Sequence, residues 1–88
     1  MTVYVDESIF PYRGQKYCHM YSPDVEELHR MARAIGLKHA WFQNKRGEDF
    51  PHYDLAPSKR EAAIKAGATA VTCHEMATIV RGGNNRDN

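Results

Sequence analysis

The chain has 88 residues, of which 42% are hydrophobic and 26% are charged, and its formal net charge is +1. This length suits one small domain, and the composition is that of a globular chain rather than a disordered one. The near-neutral charge gives no global attraction to nucleic acid or to acidic membranes, so a polyanion could bind only at a local patch. No apolar run is long enough to cross a bilayer and the N-terminus lacks a secretory pattern, which predicts a cytoplasmic protein.

The first elements predicted in chain order are two strands. Residues 2–5 and 17–21 are rich in β-branched and aromatic side chains, which favour strands. Residues 10–14, between them, contain Pro11 and Gly14 and are predicted to form a loop.

The first helix is predicted to run from Pro23 to Ile35. Ser22 can cap it, Asp24 lies at the positive end of its dipole, and Gly36 can end it by taking a left-handed conformation. Helical spacing predicts an apolar face formed by Val25, Leu28, Ala32 and Ile35. The exposed face is predicted to carry Glu26, Arg30 and Arg33.

The second half of the chain continues the alternation of strands and helices. Strands are predicted at residues 39–42 and 70–72, separated by a charged loop at 44–49 and a helix that Ser58 can cap. The spacing of Thr72 and Glu75 is that of a capping box, which predicts a last helix.

Alternating strands and helices are typical of parallel pairing through crossover connections. We therefore predict a small single α/β domain over residues 1–81, with a three- to four-stranded, mostly parallel sheet and about three helices. Residues 82–88 are predicted to form a flexible tail. In parallel sheets ligands bind beyond the carboxyl ends of the strands, which here directs attention to residues 6–16, 43–57 and 72–74. The candidate site residues lie in and just after the middle segment.

The order of short motifs along the chain is similar to that of one family. The motifs are TVYVD at 2–6, CHM at 18–20, ELH at 27–29, IG at 35–36, WFQ at 41–43, HYD at 52–54, SKR at 58–60 and AGA at 66–68. In them the chain resembles domain-of-unknown-function family 4031, small proteins of bacteria and their phages. The resemblance implies one domain in a bacterial or phage cytoplasm, and it implies no activity.

His52 and Asp54 are the candidate catalytic residues. In an extended segment both side chains lie on one face and Tyr53 lies on the other. A histidine beside a carboxylate can act as a general base or help to hold a metal ion. The alternative is structural, with Asp54 capping a turn and His52 bonded to the loop backbone.

Ser58, Lys59 and Arg60 are the candidate anion-binding residues. Amides at a helix N-terminus favour an anion, and two adjacent cations add to the attraction. Tyr53 or Trp41 could supply a flat apolar wall for a base. We predict that His52, Asp54, Ser58, Lys59 and Arg60 converge on one concavity beyond the carboxyl edge of the sheet.

The two Cys-His pairs, Cys18-His19 and Cys73-His74, do not have the ligand spacing of structural zinc sites, because adjacent strand residues point apart. We therefore predict no metal site and no cofactor, and two unbridged thiols. Phosphate-cradling glycine loops and nucleophile elbows are also absent from the sequence.

Three hypotheses for function follow. The first is a binding protein for a phosphorylated ligand, either a nucleotide or a nucleic-acid backbone, at the carboxyl edge of the sheet. The second is a metal-dependent hydrolase or nuclease that uses His52 and Asp54. The third is a phage-encoded interaction protein that inhibits a host component. The sequence leaves a homodimer open and predicts no membrane partner.

Overall fold

The computed structural model describes residues 2–7, 10–12, 14–43 and 50–84. The predicted loop at 44–49 and the last residues of the predicted tail lie outside the described residues. The elements in chain order are β1 (Tyr4–Val5), β2 (Phe10–Tyr12), β3 (Gln15–Tyr21), α1 (Val25–Ala34), a 3-10 turn (His39–Trp41), β4 (Tyr53–Leu55), α2 (Pro57–Lys65), β5 (Thr69–Ala70) and α3 (Cys73–Asn84).

The strands form one mixed sheet in which β3 is central. Met20 of β3 pairs with Val5 of β1 on one side and with Tyr53 of β4 on the other, and both pairings are antiparallel. β2 is also antiparallel to β3, and β5 is parallel to β1. The α/β class and the three helices are confirmed among the described residues, but the prediction of a mostly parallel sheet is wrong.

The error comes from strands that the sequence pattern did not reveal. β2 and β4 are three residues long, too short for a clear alternation, and β4 lies inside the stretch predicted as a ligand-binding loop. The predicted strand at 39–42 is instead the 3-10 turn, because the Trp41 N–H donates to the Lys38 carbonyl at 2.9 Å. Local bonds of this kind use the backbone groups that a sheet would need.

The two faces of the sheet differ in chemistry because successive strand residues point to opposite sides. One face is apolar and packs against α1 and α2; its sheet residues are Val3, Val5, Cys18, Met20, Tyr53 and Leu55. The other face carries polar side chains, among them His19 and Asp54, which are direct partners in the β3–β4 register. The hydrophobic core thus fixes which residues the opposite face presents.

Helix α1 packs as its sequence pattern predicts, with one exception. Leu28, Ala32 and Ile35 are buried, and the predicted outward residues are exposed: Glu26, Arg30 and Arg33. Val25 was predicted to lie on the apolar face, but it is 40% exposed because it occupies the first helical position, at the edge of the packed surface. Gly36 follows the helix with a φ of 81°, the left-handed conformation that glycine accepts.

The helix caps differ from the predicted ones at two places and agree at a third. The side chain of Asp24, not Ser22, caps α1, while the Ser22 hydroxyl is buried and donates to the Thr2 carbonyl. Helix α2 begins at Pro57 with Ala56 at the cap, so Ser58 lies inside the first turn. At α3, Thr72 and Glu75 form the predicted capping box through reciprocal bonds of 2.7 and 3.0 Å.

Helix α3 continues to Asn84, past the predicted domain boundary at residue 81. The two cysteines are unbridged, as predicted: Cys18 is buried in the core and Cys73 is partly exposed at the start of α3. Within the described part of the chain, every helix is too short or too polar to cross a membrane.

Candidate functional site

Three ionisable residues form a row across the centre of the sheet. The Asp6 N–H donates to the His19 carbonyl at 3.1 Å, which extends the β1–β3 pairing by one residue. On the other side of β3, His19 lies directly opposite Asp54. Side chains at opposed positions on one face are close enough to interact, so His19 lies between two carboxylates.

Asp6 holds His19 with both carboxylate oxygens. Oδ1 accepts a hydrogen bond from the His19 backbone N–H at 2.7 Å, and Oδ2 accepts one from the ring Nδ1 at 2.8 Å. The Asp6 side chain is only 4% exposed, whereas that of His19 is 32% exposed. Because Nδ1 donates its proton to the carboxylate, a neutral His19 ring carries its lone pair on Nε2.

His52 and Asp54 meet on the same face of β4. His52 Nε2 lies 3.3 Å from Asp54 Oδ1, and His52 Nδ1 donates to the Phe50 carbonyl at 2.7 Å. The amide of Gln43 donates to the second Asp54 oxygen, and its backbone is bonded to that of His52 in both directions. The Phe50 ring stacks on His52 with centroids 4.2 Å apart.

We call His19, His52 and Asp54 the His-Asp cluster. Each contributes one possible metal-ligand atom, and these atoms lie within 4.8 Å of one another. Burial by itself raises the pKa of Asp54, but hydrogen bonds from His52 and Gln43 and the charges of His52 and His19 outweigh it, so the pKa lies below its ordinary value of 3.8. Asp54 is therefore an anion at neutral pH and faces two imidazoles.

A pocket of about 680 Å³ adjoins the cluster. Asp54 and Gln43 line it, so the pocket and the cluster share residues. The other lining residues are Pro11, Tyr17, Leu37, Ala40, Trp41, Ala56, Ser58 and Lys59. Its wall is thus mostly apolar and aromatic, with one ammonium group and one carboxylate, the usual character of a small-molecule site.

Comparison with known proteins identifies a family for this chain but gives no relative of known activity. The chain matches the family model described as "Protein of unknown function (DUF4031)" over residues 3–82. The chain belongs to this family. Neither curated proteins nor solved structures gave a match.

The DUF4031 motifs that are far apart in the sequence come together at the site. Asp6 ends TVYVD, His19 is in CHM, and His52 and Asp54 are in HYD. Arg60 of SKR donates from Nε to the Asp6 carbonyl at 2.8 Å, which places this arginine beside the residue that holds His19. Three motifs therefore contribute side chains to the polar sheet face, and the fourth contacts the backbone of Asp6.

The residues predicted as one site fall into four places in this DUF4031 chain. Four line the pocket: Trp41, Asp54, Ser58 and Lys59. His52 belongs to the His-Asp cluster, and Arg60 contacts the backbone at Asp6. Tyr53 is fully buried in the core, where its hydroxyl is 2.8 Å from His29 Nδ1. His52, Tyr53 and Arg60 are not among the described residues of the pocket lining.

The cluster lies on a sheet face, not beyond the carboxyl ends of the strands. Strands β3 and β4 are antiparallel, so their carboxyl ends do not meet at one edge. The sequence pattern did not single out Asp6 or Gln43, and His19 was considered only beside Cys18 as a zinc ligand and rejected. The sequence does contain a signal for His19. It stands between Cys18 and Met20, which are both buried, so its side chain lies on the outward face of the strand, where packing does not require an ionisable residue.

His29 forms a second polar group behind Tyr53, on the helix side of the sheet. Burial, then the charges of His39 and Arg33, lower the pKa of His29 below 6.5, against a smaller opposing effect of Glu26. Burial also raises the pKa of Tyr53 above 10.0, with Arg33 acting in the opposite direction. Both groups are therefore neutral at physiological pH.

The pKa of His29 predicts that acid destabilises the fold. Below pH 6.5 the unfolded chain binds a proton at His29 that the folded chain resists, so stability falls as the pH drops from 6.5 toward the lower folded-state pKa. We expect the melting temperature of His29→Gln to fall less than that of the wild type between about pH 7.5 and about pH 5.5. His74→Gln on the exposed surface of α3 is the control, and equal slopes for all three proteins would contradict the prediction.

Proposed function

We propose that this protein binds a phosphorylated small molecule, such as a nucleotide, in the pocket beside the His-Asp cluster. The observation that carries the proposal is the combination of Trp41, Ser58 and Lys59 around one concavity of about 680 Å³. A volume of this size suits a small organic ligand, and the three side chains offer a flat ring, a hydroxyl and a cation.

The charged end of the ligand fits the start of α2. No side chain caps this helix, which begins at Pro57. Pro57 has no N–H, and the N–H groups of Lys59 and Arg60 donate to the Ala56 carbonyl, so the start of the helix offers the positive end of its dipole and the Ser58 N–H. Lys59 Nζ donates to the Ile35 carbonyl at the end of α1 at 2.8 Å, which fixes the ammonium at the rim of the pocket. The remaining ammonium hydrogens can donate to phosphate oxygens.

The flat part of the ligand fits against Trp41. This ring is 48% exposed, an unusual exposure for the largest apolar side chain, and Lys38 Nζ lies 5.6 Å from its centroid. Base stacking on an aromatic ring is favourable and tolerates any base. A nucleotide can therefore contact both Trp41 and the start of α2, whereas inorganic phosphate can contact only the start of α2.

A metal-dependent hydrolase or nuclease is the second candidate, and one contact favours it. Asp54 both lines the pocket and lies 3.3 Å from His52 Nε2. A ligand in the pocket would therefore lie next to groups that can transfer a proton or hold a divalent ion.

Binding can be tested by calorimetry with nucleoside mono-, di- and triphosphates in the presence of EDTA, so that metal ions do not contribute. We expect Lys59→Met to weaken binding about tenfold or more, because it removes a charge-assisted bond, and Trp41→Ala to weaken it through lost stacking. Lys65→Met is the matched control, since Lys65 is an exposed lysine at the other end of α2.

The proposal fails if no phosphorylated compound binds the wild type. It fails equally if Lys65→Met weakens binding as much as Lys59→Met does. An unphosphorylated nucleoside that binds as tightly as its monophosphate would remove the anion part of the proposal.

A further inference from the structure

We propose that His19, His52 and Asp54 form a binding site for a divalent first-row transition-metal ion of the zinc type. The site is distinct in chemistry from the anion-binding pocket, and it does not depend on any ligand in that pocket. Two imidazoles and one carboxylate are a common donor set for such ions, with further positions left for water or substrate.

The spacing of the donor atoms fits a tetrahedral ion. Two ligands about 2.0–2.1 Å from such an ion lie roughly 3.3–3.4 Å apart. His52 Nε2 and Asp54 Oδ1 are 3.3 Å apart, which is longer than a charge-assisted hydrogen bond of about 2.7–2.9 Å. One ligand atom from each residue lies within 4.8 Å of the other two, so binding requires the widest pair to close by up to about 1.4 Å.

The protonation pattern of the rings supports the same conclusion. Each histidine uses Nδ1 as a donor, His19 to the Asp6 carboxylate and His52 to the Phe50 carbonyl. A neutral ring of this tautomer presents a lone pair on Nε2. At His52, Nε2 faces a carboxylate oxygen of Asp54, so the contact is attractive when Nε2 carries a proton that it donates to Asp54, and a metal ion can take the place of that proton.

Every donor also has the supporting partner that metal ligands in proteins usually have. Asp6 orients His19, the Phe50 carbonyl orients His52, and Gln43 binds the oxygen of Asp54 that does not face His52. The carboxylate of Asp6 is 4% exposed and is itself held by the His19 backbone N–H. A surface ion pair does not require a supporting hydrogen bond to each of its members, whereas all three donors here have one, as metal ligands do.

The position of the ion would connect the two sites. Asp54 belongs to the cluster and to the pocket lining, so an ion held there would lie at the edge of the pocket. With three protein donors, a tetrahedral ion keeps one position for water or for an oxygen of a bound ligand. The metal would thereby give the second candidate function the chemistry that it requires.

Metal binding can be tested without any substrate. Protein treated with chelator and then dialysed is titrated with Co²⁺, with the visible absorption of the four-coordinate ion as the signal, and Zn²⁺ is then used as a competitor. We expect saturable one-to-one binding by the wild type, and losses of about 100-fold or more in His19→Ala and His52→Ala. His74→Ala and His39→Ala are matched controls, because both histidines are exposed and lie outside the cluster.

Asp6→Asn tests the supporting role separately. Asp6 orients His19 and does not donate to the ion, so we expect about 10–100-fold weaker binding with the stoichiometry unchanged. Circular dichroism in EDTA establishes that each variant is folded, and a variant that is not folded is replaced by the corresponding glutamine substitution.

The proposal is overturned if the folded wild type shows no saturable Co²⁺ or Zn²⁺ binding. It is also overturned if His19 and His52 variants bind as the wild type does, or if the control variants weaken binding to the same extent. Because the nucleotide titrations are made in EDTA and the metal titrations without nucleotide, failure of one proposal leaves the other intact.

Discussion

Tyr53→Ala is expected to lower the free energy of unfolding by about 3–5 kcal/mol, the range for truncating a buried aromatic ring. The ring is fully buried between Met20 on the neighbouring strand and the aromatic ring of Phe42, whose centroid is 5.4 Å away. Alanine would leave a cavity in the middle of the core. The unfolding free energy of a small domain is about 5–15 kcal/mol, so the variant would lose a large part of its stability.

Tyr53→Phe is the matched control and separates the ring from its hydroxyl. The hydroxyl is 2.8 Å from His29 Nδ1, and loss of such a bond costs about 0.5–1.5 kcal/mol. Urea denaturation of the two variants should therefore give clearly different midpoints. If Tyr53→Ala costs less than Tyr53→Phe, the ring is not part of the core. If Tyr53→Ala does not fold, Tyr53→Leu takes its place, and we expect a lower unfolding midpoint than for Tyr53→Phe, because leucine fills only part of the space of the ring.

Leu28→Ala is expected to cost about 2–5 kcal/mol, because Leu28 is fully buried where α1 packs on the sheet. The cost has two parts: the favourable free energy of transferring the removed methyl and methylene groups out of water is lost, and a cavity is left in the core. Val25→Ala is a control on the same helix, since Val25 is 40% exposed and alanine favours helix, and we expect a change within about 0.5 kcal/mol.

The two α1 variants should differ in midpoint but not in the dependence of stability on urea, because both unfold the same domain. A loss below about 1 kcal/mol for Leu28→Ala, or equal losses for both variants, would show that α1 does not pack through this face.

Local patterns in the sequence predicted the elements whose neighbours lie within a few residues. The apolar spacing of α1 identified Leu28, Ala32 and Ile35 as buried, and Gly36 marked the end of the helix. The capping box of Thr72 and Glu75 was also predicted, because both of its hydrogen bonds are made within four residues. Short-range geometry of this kind is encoded directly in side-chain order.

The pattern failed where short strands depend on distant partners. β4 is three residues long, and its extended form is stabilised by pairing with β3 and by burial of Tyr53 and Leu55. The strand predicted at 39–42 had suitable side chains, but its backbone forms bonds within a 3-10 turn. Strand propensity mainly measures how well a side chain packs on a half-buried sheet surface, so it predicts little until the neighbouring strand is known.

For the candidate site, the sequence by itself determined which side chains share a face. Alternation placed His52 and Asp54 together and Tyr53 opposite, and the structure has this arrangement, with Tyr53 in the core. The sequence also identified Trp41, Ser58 and Lys59, which do line one pocket. These inferences needed only the period of a strand and the position of a helix start.

Only the tertiary structure decided that His19 joins His52 and Asp54, and that Asp6 holds His19. Asp6 and His19 are 13 residues apart, and Asp54 belongs to another strand, so their meeting depends on the antiparallel register of three strands. That register is set by burial of Val5, Met20 and Tyr53 on the opposite face, since a slip of one residue would turn every apolar side chain to solvent. Burial of the apolar face therefore determines the strand register, and the register brings the residues of the His-Asp cluster together.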